Sequence, residues 1–159
     1  ILFKSIINMK NIILTLFTLF FLFSCSKDDG PIKGCTDPLA ANYNSAAEES
    51  DGLCEYSLIG DWELTKYTLD STNVLASYKY LYFDVYANST YDFWGEANDG
   101  TIVQSLGTYV IGSSKTTITM TPNDGSGAET YTITQLNGKT ISMSGNTSVG
   151  TVNISAFKL

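Results

Sequence analysis

The 159-residue chain contains no histidine and no arginine, and its nine lysines face sixteen acidic residues, for a net charge of −7. Each shortage removes something. Nucleic acid is held largely by counterion release through Lys and Arg, so a strongly acidic chain without arginine is not a nucleic-acid binder. Without histidine the commonest general base and the commonest metal ligand are both missing. Carboxylates are then the main route left to catalysis, and the chain reads as a non-enzyme. Long apolar runs are also lacking. The longest, "IILTLFTLFFLF" from Ile12 to Phe23, would rise about 18 Å as a helix, well short of the roughly 30 Å hydrocarbon core that takes about 20 residues to cross. With 43% apolar residues the chain is long enough for one domain with a modest core plus appendages, and too short for two full domains.

The short apolar run behind Lys4 and Lys10 has the form of a secretory signal peptide, and Met9, directly before Lys10, is the expected start. Segment 1–24 is read as the signal. It ends in "LFSC", Leu22 to Cys25, which resembles the bacterial lipobox, whose cysteine is diacylated and becomes the mature N-terminus. Two or three acyl chains, at about 0.8 kcal/mol per buried methylene, hold a protein on a membrane where one chain is marginal. The alternative is an unmodified cysteine in an ordinarily cleaved signal. "SKDDG" after Cys25 resembles the acidic patch of Bacteroidetes-type lipoproteins sent to the cell surface, although a solvated tether has the same composition. Segment 25–33 is therefore expected to be an acylated tether at the outer membrane, facing the cell surface or, on the other reading, the periplasm.

Only three cysteines are present. With Cys25 lipidated, Cys35 and Cys54 form an even pair in an oxidising compartment, where a disulfide is the natural state. The bridge would close a loop of about 20 residues and contribute roughly 3 kcal/mol by loop-closure entropy. Segment 34–56, "GCTDPLAANYNSAAEESDGLCEY", has too few apolar residues to fold without it, and Asp37-Pro38 and Asp51-Gly52 are turn pairs. The stretch resembles a cysteine-bounded, Asp/Asn-rich repeat of secreted bacterial proteins often compared with the calcium repeats of thrombospondin. That resemblance makes Asp37, Asn42, Asn44 and Asp51 candidate oxygen ligands for Ca²⁺. Glutamates and a serine in "AEESDG" depart from the repeat's aspartate-rich turn, and a disulfide-stapled spacer without metal is the other reading.

From Ser57 the text turns to Thr, Tyr, Val and Ile, with turn signals at Asn98-Asp99-Gly100, Asn123-Asp124-Gly125 and Asn137-Gly138. Strands are expected near 61–69, 78–86, 89–95, 101–111, 115–121, 129–135, 139–145 and 150–158. Alternation supports them: Ile118 and Met120, Tyr131 and Ile133, and Ile141 and Met143 each share a face against threonine or serine. Eight meandering strands close into an up-and-down barrel of a size that holds one small ligand. The fold class is therefore all-β, an eight-stranded antiparallel barrel over 57–159. "LIGDWELTKYTLD" (Leu58 to Asp70) resembles the Gly-x-Trp opening strand of lipocalins, and with "GTYVIGSSKTTITMT" and "TYTITQLNGKTISMS" the segment is similar to the lipocalin-like domain of bacterial lipoproteins. The resemblance implies that Trp62 plugs the closed end. It also implies an arginine packed over that tryptophan, and since there is none the floor must be built otherwise.

In "YKYLYFDVY" the parity puts Leu81, Phe83 and Val85 on one face and Tyr78, Tyr80, Tyr82 and Tyr86 on the other. The tyrosines are either cross-strand packing or a stacking platform for an apolar or sugar ligand. Leu81, Phe83, Val85, Tyr91, Phe93 and Tyr109 are the candidate lining of a small hydrophobic ligand site. Asp61, Glu63, Asp84, Asp92 and Glu96 would permit glycosidase chemistry if two stood about 5–9 Å apart, but outward acidic residues are the ordinary solubilising choice. Two functions remain: a lipid-anchored module binding a small apolar molecule, or a structural or adhesive surface lipoprotein with a filled barrel. An internal void of about 300 Å³ or more would favour the first.

Overall fold

The computed structural model describes residues 30–159; the signal segment and Cys25 lie outside the described residues. Eleven strands are present: β1 (Lys33–Gly34), β2 (Glu49–Ser50), β3 (Gly60–Leu69), β4 (Thr72–Asn73), β5 (Tyr78–Val85), β6 (Thr90–Ala97), β7 (Ile102–Ile111), β8 (Thr117–Pro122), β9 (Glu129–Leu136), β10 (Thr140–Thr147) and β11 (Gly150–Lys158). From β5 onward each strand pairs antiparallel with the next, and β5 pairs with β3. The last strand returns to the first, with β11 paired to β3 from Val152↔Leu69 to Lys158↔Trp62. That pairing closes β3 and β5–β11 into the eight-stranded antiparallel barrel, and closure removes the exposed edges an open sheet would have.

The pleat sends alternate side chains to opposite faces. Leu81, Phe83 and Val85 of β5, Ile118 of β8, Ile141 and Met143 of β10, and Val152, Ile154 and Ala156 of β11 are buried in one continuous core. Threonines and serines of β8–β11 face outward, where a β-branched or small hydroxyl side chain suits a half-buried pleat. Asp99, Asp124 and Asn137 hold the tight turns by accepting from the backbone N–H of Thr101, Ser126 and Thr140 at 2.9, 2.9 and 2.8 Å. One expected face is corrected. The register shifts between Tyr78 and Tyr80, so Tyr78 leaves the outer tyrosine row and packs against the core.

The barrel floor is built on Trp62, which is fully buried. Its indole N–H donates to the Leu58 carbonyl at 2.8 Å. Where the resemblance implied an arginine stands Lys158, its Nζ 5.3 Å from the centre of the Trp62 ring and donating to the Ile59 carbonyl at 2.7 Å. Gly60, at φ +139°, makes room for it: a Cβ there would sit 2.4 Å from the Lys158 Cε.

Ahead of the barrel, Cys35 and Cys54 are bridged, with Cα atoms 4.9 Å apart. β1, just before Cys35, pairs parallel with β2 inside the loop, and Glu55, just after Cys54, ties the segment to the β7–β8 connection through a Lys115 Nζ to Glu55 Oε2 contact of 2.6 Å.

Candidate ligand-binding site

A cavity of about 250 Å³ lies inside the barrel toward the end away from Lys158. Phe83, the register partner of Trp62, forms its lower part. Tyr67, Tyr91, Phe93 and Tyr131 supply aromatic walls, and Met120, Met143, Ile154 and Pro122 fill between them. Phe93 meets Tyr67 edge-on at 6.0 Å between centroids. Two inward glycines give the tyrosines their place: a Cβ on Gly107 would lie 2.6 Å from the Tyr91 ring, and one on Gly145 2.8 Å from the Tyr131 ring. The volume falls below the roughly 300 Å³ lower bound of ordinary ligand pockets and above the roughly 150 Å³ of an apolar cavity that takes benzene. It suits a molecule of one or two rings, or a short chain.

The charged part of its lining has one sign. Among the described residues Glu129 is the one charged group lining the cavity, accompanied by Ser105 and the phenols. Tyr131 donates its hydroxyl to Glu129 Oε2 at 2.8 Å, and the Ser148 hydroxyl donates to Oε1 at 3.2 Å. Burial pushes the Tyr131 phenol far above the ordinary tyrosine range, with the bond to Glu129 adding to it. Burial also raises the Tyr67 and Tyr91 phenols; the charge of Glu129 adds in both cases, and Ser105 partly offsets the effect at Tyr91. The phenols are therefore neutral donors across the physiological range.

Outside the barrel, β5 and β6 carry a second aromatic group. Tyr82 and Trp94 lie 4.8 Å apart between centroids, and Tyr80 lies 5.5 Å from Tyr82 and 6.0 Å from Trp94. Trp94 donates its indole N–H to Asp84 Oδ2 at 2.7 Å; Tyr80 donates to Glu96 Oε2 at 3.1 Å, and Lys79 pairs with Glu96. Asp61, Asp84 and Asp92 are register neighbours across β3, β5 and β6. Burial raises the Asp84 carboxyl, the Trp94 bond lowers it, and the charges of Asp61 and Asp92 raise it further. The Asp92 Oδ2 accepts from Gln104 at 2.7 Å, while its Oδ1 is buried without a partner. None of Asp61, Glu63, Asp84, Asp92 and Glu96 lines the cavity.

In the stapled loop the candidate calcium ligands hold backbone. Asp37 accepts from the Leu39 N–H at 2.9 Å and the Tyr56 hydroxyl at 2.7 Å, bonds that hold its carboxyl below the usual range. Asn42 bridges Glu55 N–H and Leu53 C=O, Asn44 accepts from Ala46 N–H, and Asp51 from Leu53 N–H. Asp37, Asn44 and Asp51 each hold their own turn, and Asn42 ties the loop to residues 53–55. Among the described residues no three His, Cys, Asp or Glu side chains are grouped as a metal site built from them would need. A recess of about 400 Å³ separates this loop from the barrel floor, with Tyr56, Leu58, Ile111, Ile133 and Leu136 in its wall.

Of the six residues expected to line a ligand site, Phe83, Tyr91 and Phe93 meet at the cavity. Leu81 and Val85 are buried on the inward face but do not line the cavity. Tyr109 is buried near the closed end, where its hydroxyl donates to the Tyr86 carbonyl at 2.9 Å. Sequence reasoning missed Tyr67, Ser105, Met120, Pro122, Glu129, Tyr131, Met143 and Ile154. A signal existed: Met120, Tyr131 and Met143 fall on the dry parity of their strands, and Glu129 shares that parity with Tyr131, which is an unusual place for a carboxylate.

No curated protein matches the chain. Among solved structures it is similar to an uncharacterized protein from Bacteroides eggerthii (13% identity, 64% of this chain and 99% of that one, TM-score 0.44). A lipocalin-like protein from Bacteroides uniformis is similar at 18% identity, over 62% of this chain and 96% of that one, with a TM-score of 0.46. So is a de novo designed fluorescence-activating β-barrel, at 17% identity, 63% and 91% coverage and a TM-score of 0.45. The model of the lipocalin-like domain matches residues 58–143, more than half of the chain and all of the barrel from the residue that caps Trp62 to the middle of β10. By that match the chain belongs to the lipocalin-like domain family.

Proposed function

We propose that this protein is a non-enzymatic binding module that takes a small, mainly apolar molecule into the open half of its barrel. Acyl chains on Cys25 hold it at a bacterial outer membrane, with the barrel displayed at the cell surface. The observation that carries the binding reading is the cavity of about 250 Å³ walled by Phe83, Tyr67, Tyr91, Phe93 and Tyr131. Aromatic walls around a few converging polar groups are a common form of small-molecule site. The rival reading, a filled barrel acting as a structural or adhesive surface protein, has support from the close-packed Leu81, Val85, Ile118 and Ile141.

Native mass spectrometry of the mature protein, looking for a co-purifying small molecule, tests the binding reading directly. A fluorescent hydrophobic probe should bind saturably near one to one, and Phe83→Trp should report its entry by a changed emission. Absence of both a co-purifying molecule and saturable probe binding would leave the filled barrel as the answer. The anchor is tested separately: Cys25→Ser should leave an unprocessed precursor that incorporates no labelled palmitate, and normal processing in that variant would end the lipoprotein reading.

A further inference from the structure

The connections at the two ends of the barrel differ in charge. Connections at the open end, 70–77, 98–101, 123–128 and 148–149, contain Asp70, Asp99 and Asp124 and no lysine. Those at the closed end, 86–89, 112–116 and 137–139, contain Lys115 and Lys139 and no carboxylate. Lys158 lies against Trp62 at that same closed end. Near the mouth Lys79 is already paired with Glu96. Within the cavity the one charged lining group is Glu129, and the charges that act on the Tyr91 phenol are those of Asp124 and Glu129. A mouth lined with one sign of charge over low-dielectric walls concentrates ligands of the other sign.

Glu129 is also equipped to make a contact. A carboxylate offers about four lone-pair sites; Tyr131 and Ser148 occupy one on each oxygen. They fix the group and leave acceptor capacity on both oxygens. The aromatic walls add to the same preference, because the face of a phenol or phenyl ring attracts a cation. An anionic ligand would instead meet Glu129 with no cationic side chain among the lining residues to answer it.

We infer that the barrel ligand is a small apolar cation, an arylalkyl or alkyl ammonium whose hydrocarbon part fills the cavity and whose ammonium group binds the Glu129 carboxylate at the mouth. This rests on the ligand-binding reading above, and the experiment separates the two. Naphthylmethylamine, naphthylmethanol and naphthoate share a hydrocarbon body and differ in charge, and their affinities would be measured by calorimetry on the mature protein in nanodiscs, with empty nanodiscs as blank. The ammonium should bind about tenfold more tightly than the alcohol, a difference of about 1.4 kcal/mol, and the carboxylate most weakly. Raising the salt concentration should narrow the order. Glu129→Gln, which keeps an acceptor for Tyr131, should bring the ratio of amine to alcohol affinity close to one. If the three compounds bind alike, or the anion binds best, the cation preference is wrong while the binding module stands. Failure of all three to bind removes the binding reading itself. The series on the unaltered protein decides even if Glu129→Gln does not fold.

Discussion

The Lys158 ammonium stands 5.3 Å from the centre of the Trp62 ring and donates to the Ile59 carbonyl, so the last barrel strand locks the first through one cation. The neighbouring Leu58 carbonyl takes the indole N–H, and the two bonds together fix the chain where it enters the barrel. Lys158→Met should therefore lose the ring contact and the carbonyl donor while keeping most of the aliphatic packing. We expect a loss of about 1–2 kcal/mol, the sum of a modest cation–π contact and one charge-assisted hydrogen bond, read as a lower denaturant midpoint at unchanged slope. Lys158→Arg should retain most of that stability, since a guanidinium also stacks and donates. A midpoint unmoved by Lys158→Met would show that the contact contributes nothing to the floor.

The stapled loop should behave as a unit held by covalent and backbone bonds. Replacing Cys35 and Cys54 together by alanine should cost up to about 3 kcal/mol and open segment 34–56 to proteases. Because Asp37, Asn42, Asn44 and Asp51 each accept a backbone N–H, added Ca²⁺ should leave the cleavage rate of the intact loop unchanged. Protection of the loop by Ca²⁺ at constant ionic strength would instead support the calcium reading of these side chains.

The barrel was legible in the sequence because its strands are two-faced. Turn dipeptides bounded them within a residue or two, and alternation such as Ile141 and Met143 against Ser142 and Ser144 told inside from outside. The Cys35–Cys54 bridge was legible for a different reason, since setting Cys25 aside as the expected lipidation site leaves one pair to be joined. Two kinds of information were not available. The Tyr78/Tyr80 register shift exchanges faces within one strand, and a single unpaired residue leaves no mark on composition. The cavity depends on which inward side chains fall short of one another across the barrel. Leu81 and Phe83 have the same parity and similar burial, yet only Phe83 lines the void. Lys158 could be foreseen only as a need for some cation over Trp62.

On the outer wall, Asp84 stands between Asp61 and Asp92 in adjacent strands, and both neighbours, together with burial, oppose its charge. Asp84→Asn removes the repulsion and keeps a carbonyl oxygen to accept from the Trp94 indole. At neutral pH and low salt it should stabilise the protein by about 0.5 kcal/mol, the scale of like-charge pairs on neighbouring strand positions, with the gain shrinking at high salt. Asp84→Ala should do worse than Asp84→Asn, because it leaves the half-buried indole N–H without its acceptor. A melting temperature lowered equally by both substitutions would mean that the carboxylate itself, and not only its oxygen, holds Trp94.

The buried phenols set the alkaline limit of the fold. Burial raises Tyr131 most, with Tyr67, Tyr91 and Tyr109 raised in the same direction, while in the unfolded chain all four ionise near the ordinary value of about 10. Above that pH the unfolded state sheds protons that the folded state keeps, so the linkage sign is negative and stability falls as pH rises. The stabilisation is fully present below about pH 10 and is lost progressively above it, at up to about 1.4 kcal/mol per pH unit for each phenol that stays protonated. Urea unfolding followed from pH 8 to pH 11.5 should show a flat region that turns down near pH 10. Tyr131→Phe should make the descent shallower. The same substitution removes one donor from Glu129 Oε2, so at pH 8 it should cost about 1 kcal/mol, the usual net value of such a bond. The wild-type and variant curves should then approach each other as pH rises, since the phenol that the variant lacks is the one that most resists ionisation in the folded state. Parallel curves across the whole range would show that Tyr131 ionises as readily in the barrel as in the unfolded chain, and that the cavity wall around it is open to water.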